Sequence, residues 1–194
     1  MSTTSTGFTI HDLESVPDAA RPALKQQAKA FGTILNLHGI LAESAPALET
    51  YNAAYAAFAQ SSFTPAEQQF IYLAINRVNE CEYCMAGHSV LAKNEGVDAD
   101  TIEALREGTE IPDARQAALR DFVTAVVDQK GHVPLQQVQA FLDAGFTRQN
   151  VLDVVLAVAT KVISSYTNHL SATPNEAFMK NTVWTAPSRR IEAA

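Results

Sequence analysis

Apolar residues recur at helical spacing through most of this chain, and the strict alternation of a half-buried strand is almost absent, so the fold open to it is a set of packed helices. Pro22 to Leu41 carries Leu24, Ala28, Phe31, Ile34, Leu35, Leu37 and Leu41 and predicts one amphipathic helix. Pro46 to Phe58, with Leu48, Tyr51, Ala54, Tyr55 and Phe58 after the start signal Ser44, predicts a second that forms a hairpin with the first. A third has a clear beginning. Thr64 suits its N-cap, Pro65 the first helical position, and Glu67 stands three residues after the cap as in a capping box. Asn79 suits the end of that helix and the cap of the next, with Glu82 placed to reach back.

The second half reads the same way. Ala114 to Gln129, Leu135 to Leu142 and Val151 to Ile163 are apolar helical segments, punctuated by Gly108, Pro112, Gly131, Pro134 and Gly145. Shifting the chain from Thr64 to Thr147, a step of 83 residues, also brings Leu73-Ala74 onto Leu156-Ala157 and Cys81-Glu82-Tyr83-Cys84 onto Ser164-Ser165-Tyr166-Thr167. This predicts two similar helical halves, only the first of which carries the cysteine pair. With 194 residues and 47% hydrophobic content, the chain can bury one sizeable core. We expect a single helical domain over residues 21–180, a partly ordered segment over 1–20, and a C-terminal arm over 181–194, containing Trp184 and Pro187, that either packs on a neighbouring subunit or frays.

A formal charge of −7 argues against a phosphate-binding face, so no nucleic-acid partner is expected. Met1 to Phe8 has neither the basic start nor the apolar stretch of a secretory signal, and no apolar run approaches the roughly 20 residues that cross a bilayer. The expected location is cytoplasmic, with no membrane contact. There a dithiol is kept reduced, and a disulfide is more often transient or catalytic than structural.

Cys81 and Cys84, the only cysteines, lie one helical turn apart, with His88 a further turn along. One helical face therefore carries a dithiol and a proton-transfer group. A helix start lowers a nearby thiol pKa from about 8.5 through its free N–H groups and macrodipole. At four residues from Cys84, His88 is placed to take its proton, while Glu80 and Glu82 add opposing negative charge. The three groups could also ligate a metal, but a closed structural zinc site needs four, so no metal is expected. Tyr83 reads as packing, and His38, His132 and His169 as surface or satisfied core residues.

The stretch Thr64 to His88, with Cys-x-x-Cys-x-x-x-His following this particular helix, resembles the core of the carboxymuconolactone decarboxylase and alkylhydroperoxidase AhpD-like family. Leu41 to Leu48 resembles the lead-in of its peroxidase-related members. The resemblance implies an all-α AhpD-like bundle, assembly into trimers or hexamers, and reduction of organic hydroperoxides at the expense of a dithiol or protein thiol, without a cofactor. It implies that Cys84 attacks the peroxide, that Cys81 resolves the sulfenic acid as a disulfide, and that His88 belongs to the proton relay. Decarboxylases of the superfamily lack the cysteine pair, so that activity is not expected.

Two positions depart from the AhpD pattern. Gln69, twelve residues before Cys81, replaces a glutamate and cannot exchange a proton, and Tyr83 replaces a histidine. Glu67 and Glu80 are the candidate substitutes for the lost relay acid. A redox-sensing or binding oligomer that does not turn over, and a general thiol-disulfide oxidoreductase, are the alternative readings.

Overall fold

The computed structural model describes residues 2–192. Residue 1 of the N-terminal segment and residues 193–194 of the arm lie outside the described residues. The chain is all-α apart from a two-residue pair, β1 (Ser2–Thr3) with antiparallel β2 (Thr9–Ile10), closed at Gly7.

Where one N-terminal helix was expected there are two, α1 (Arg21–Phe31) and α2 (Asn36–Leu41). The apolar spacing continues across the junction, but Gly32 takes a left-handed φ of 72°, a conformation that ends a helix and that glycine adopts without steric cost. α2 packs closely on the N-terminal segment. A Cβ at Gly39 would lie 2.7 Å from the His11 carbonyl, so only glycine fits there. Ser44 caps α3 (Ala45–Phe58) by accepting from the Ala47 N–H at 3.4 Å.

α4 (Pro65–Val78) begins with the expected capping box, the Thr64 side chain accepting from the Glu67 N–H while Glu67 accepts from the Thr64 N–H at 2.9 Å. Gln68 through Asn76 are all buried, because α4 is covered by α5 (Glu82–Asn94), α6 (Ala99–Glu107), α7 (Ala114–Asp128) and α9 (Arg148–Ser171). α8 (Leu135–Asp143) packs on α7, and Phe141 stacks between Phe122 and Phe146 with centroid separations of 4.2 and 4.3 Å. The larger core lies around α4 and α6 to α9. A second, between α1 to α3 and the start of α5, contains both cysteines.

The matched halves agree at their starts and part later. Thr147 caps α9 with a capping box to Asn150, as Thr64 does with Glu67. α4 then stops at Val78, whereas α9 runs on through Ser171, beyond the Ile163 expected from its apolar run.

The C-terminal arm folds onto the body of its own chain. Trp184 is buried, donates its indole N–H to the Arg106 carbonyl at 3.1 Å, and lies between the Arg77 and Arg190 guanidiniums. Beyond it α10 (Pro187–Glu192) is held by the paired bonds of Arg190 to Glu107 at 2.6 and 2.9 Å. The physical reason is a ready partner: the groove beside α5 and α6 offers an unpaired carbonyl and carboxylates that match this indole and guanidinium. No helix among the described residues is long and apolar enough to cross a membrane.

Along α9, Leu152, Val155, Val162, Tyr166 and Leu170 are exposed on one face.

Candidate active site

α4 and α5 are separated by a tight corner in which Glu80 takes a left-handed φ of 51°. The corner makes Cys81, not Asn79, the N-cap of α5, and its Sγ accepts from the Cys84 N–H at 3.4 Å. A thiol thus fills the position normally taken by an oxygen acceptor. Asn79 is released from the expected capping role and instead donates to Ser165 Oγ at 3.3 Å. Glu82 does not reach back but accepts from the Ala186 N–H of the arm at 3.0 Å.

Both sulfurs are buried, Cys81 at 0% and Cys84 at 3% exposure, and both are free thiols. They share one amide: Asn168 Nδ2 donates to Cys84 Sγ at 3.2 Å and to Cys81 Sγ at 3.7 Å. Ser164 and Ser165 Oγ each lie 3.9 Å from Cys84 Sγ. The Asn79 amide already donates into the Ser165 oxygen, which leaves the Ser165 hydroxyl hydrogen free for Cys84. The segment of the second half that matches the cysteine motif has therefore come to rest against it.

The strongest local charge comes from Lys161, which is 1% exposed on the inward face of α9. Its Nζ lies 3.1 Å from His88 Nε2 and 5.3 Å from the centre of the Tyr72 ring. An ammonium has only protons to give, so His88 Nε2 accepts and the ring hydrogen sits on Nδ1, which donates to Gln69 Oε1 at 2.9 Å. Burial, then the Lys161 charge, hold His88 well below its usual range, so it is neutral. The Gln69 amide thus fixes the imidazole tautomer without drawing a proton onto the ring.

Burial alone would push the Cys84 thiol up. The hydrogen bond from Cys81, the charge and hydrogen bond of Lys161, and the Asn168 amide outweigh it and hold Cys84 well below the ordinary thiol range. Cys81 is driven the other way, by burial and then by its hydrogen bond to Cys84 and that neighbour's negative charge. The pair is thus polarised, with the thiolate form favoured at Cys84 and the thiol form at Cys81.

Neither candidate carboxylate joins this cluster. Glu67 is engaged by the α4 cap and by Arg115, and these bonds, against the opposing effect of burial, keep it ionised. Glu80 accepts from both the backbone and the hydroxyl of Ser188, which lowers its pKa. His88 lies in the cluster, bonded to Lys161, whose charge also acts on Cys84.

Cys84, His88 and Lys161 open onto a cavity of about 290 Å³ whose walls include Phe31, His38, Tyr51, Tyr55 and Tyr83. The first four form a continuous set, with Phe31–His38, His38–Tyr51 and Tyr51–Tyr55 centroids 5.2, 5.8 and 6.0 Å apart. His38 is not a satisfied core histidine: burial lowers its pKa to about 4, and its Nδ1 has no partner. Tyr83 donates its hydroxyl to Glu176 Oε1 at 2.7 Å, a polar role beyond packing. His132 and His169 are exposed. Among the described residues there is no group of three or more His, Cys, Asp or Glu that could hold a metal ion.

Lys161 and Asn168 were not legible as site residues, although one signal was present. Lys161 is the sole charged residue between Val154 and Ser165, and a lone charge on the apolar face of a helix is rarely buried without a partner.

A helical fold that holds a polarised dithiol at the start of one helix, against a lysine of another, has close structural counterparts. It is similar to a peroxidase-related protein from Ralstonia eutropha JMP134, described as an alkylhydroperoxidase AhpD core, with 20% identity, 89% of this chain and 93% of that one covered, and a TM-score of 0.74. A peroxidase-related protein from Silicibacter sp. TM1040 gives 18%, 92%, 96% and 0.72. The debrominase Bmp8 gives 13%, 90%, 95% and 0.74, and a Cys→Ala variant of it has been solved with 2,3,4-tribromopyrrole. The fold is thus that of the AhpD-like helical proteins. Residues 44–128, which span α3 to α7 and both cysteines, match the model of the carboxymuconolactone decarboxylase family. Lys161 and Asn168 lie outside it. No protein of curated function matches the chain by sequence.

Proposed function

We propose that this protein is a thiol-dependent peroxidase that reduces organic hydroperoxides through Cys84 and Cys81. The observation that carries the reading is a Cys84 sulfur, favoured as thiolate by Lys161 and Asn168, at the wall of an apolar cavity. The thiolate attacks the terminal peroxide oxygen, the O–O bond breaks, and the departing alkoxide takes a proton from Lys161, leaving a sulfenic acid at Cys84 and a neutral lysine. That amine then deprotonates Cys81. The new thiolate displaces hydroxide from the Cys84 sulfur, hydroxide recovers the same proton as water, and a disulfide forms. His88 is a positioning residue, holding Lys161 through Nε2 while Gln69 holds Nδ1. A dithiol reductant restores both thiols and returns a proton to Lys161. The exposed apolar face of α9 is the surface on which copies of this chain associate into the expected oligomer, and the chain works without membrane or nucleic acid, in the cytoplasm.

The test is to add sub-stoichiometric cumene hydroperoxide to reduced protein. A Cys81–Cys84 disulfide should form, Cys84→Ser should abolish it, and Cys81→Ser should leave a dimedone-reactive sulfenic acid at Cys84. If Cys84→Ser consumes peroxide as fast as wild type, the assignment is wrong. Continuous consumption with dithiothreitol separates an enzyme from a non-turnover sensor.

The ring-lined cavity also suits a planar aromatic, which favours a second reading by analogy with the debrominase: replacement of an aryl bromine by hydrogen, with the dithiol oxidised to the disulfide and HBr released. Bromide release from tribromopyrrole would select it over the peroxidase.

A further inference from the structure

The two cysteines do not line the same space. Cys84 lines the aromatic cavity and Cys81 does not. Cys81 lines a separate cleft of about 200 Å³, bordered by Glu82, Asn168, His169, Thr173 and Arg189, and Cys84 does not. Tyr83 borders both and forms the wall between them, its hydroxyl tied to Glu176. The cavity is apolar and aromatic, whereas the cleft carries carboxylates, an imidazole and a guanidinium.

We propose that this cleft is a second entry, the binding site of a small dithiol reductant that attacks Cys81 while the oxidant reaches Cys84 through the cavity. The inference rests on the reading above that the pair cycles between dithiol and disulfide. Thiol–disulfide exchange favours attack on the sulfur whose partner leaves as the more stable thiolate. Cys84, bonded by Asn168 at 3.2 Å and acted on by the Lys161 charge, is that leaving group, so the sulfur to be attacked is that of Cys81, the cysteine that lines the cleft. A reductant thiolate forms a bond to Cys81 Sγ, the Cys81–Cys84 bond breaks, and its electron pair stays on Cys84 opposite Lys161. The reductant's second thiol then attacks its own sulfur in the mixed disulfide, closing a ring disulfide and releasing Cys81. Of the two protons it brings, one goes to Cys81 and one to the Lys161 amine. Two openings let oxidant and reductant act on opposite faces of one bond without meeting.

The experiment separates the half-reactions. The disulfide is formed with diamide, independently of any peroxide, and its reduction by dithiothreitol is followed. Oxidation of the reduced protein by cumene hydroperoxide is followed in parallel. Thr173→Trp, which fills the cleft, should slow reduction roughly tenfold or more and leave oxidation unchanged, and Thr33→Trp, at the exposed edge of the cavity, should do the reverse. Equal effects on both half-reactions would overturn the proposal. Acid quenching of the wild-type disulfide during reduction by cysteamine needs no variant. Fragment ions should place the adduct on Cys81, and an adduct on Cys84 would refute separate entry. Rapid disulfide reduction with no oxidation by peroxide would instead refute the peroxidase reading and leave this one standing.

Discussion

Lys161 decides the character of this site, because its charge lowers the pKa of both Cys84 and His88. Replacing it by Met leaves the Cys84 thiolate facing burial with only the Cys81 and Asn168 bonds. Iodoacetamide alkylation of wild-type Cys84 should have its midpoint below the ordinary thiol value of about 8.5, and in Lys161→Met the midpoint should move up to that value or beyond. Sulfenic acid formation at pH 7 should fall by roughly a hundredfold. His38 gives a second test at this scale. Its folded pKa is lowered from 6.5 to about 4, so the unfolded chain binds the extra proton first. Its contribution to stability is therefore present above pH 6.5 and lost as pH falls toward 4, to an extent of about 3 kcal/mol. Urea unfolding across that range should show His38→Phe losing correspondingly less stability on acidification.

Elements rather than residues account for what the sequence revealed and what it hid. The Thr64 box and the Ser44 cap act over three residues, and both stand where the local pattern placed them. The break at Gly32 was masked because apolar spacing runs unbroken across it, and the cap of α5 was misplaced because a cysteine is not an ordinary N-cap residue. Cys81, Cys84 and His88 could be read as one helical face. Their partners could not, since Lys161 and Asn168 arrive by tertiary packing of α9, and an apolar run with one lysine reads as core. The α4 cap also tests the role of Glu67. Thr64→Ala should cost about 1 kcal/mol in thermal or chemical unfolding, while peroxide oxidation of the dithiol stays at the wild-type rate.

At the scale of the whole molecule, the exposed α9 face and the buried dithiol sit on opposite sides of one helix. A double change of Tyr166→Asp and Leu170→Asp places charge in the apolar stripe without touching the inward residues. Light scattering should then report a smaller assembly than wild type, and an unchanged mass would move the interface elsewhere. The same helix sets when the thiols become reactive. Synthesis delivers Cys81 and Cys84 well before Lys161 and Asn168, so a nascent or truncated chain that ends ahead of α9 holds two unremarkable cysteines. On the mechanism proposed above, activation of Cys84 waits until the last long helix docks, so its alkylation rate should report completed folding.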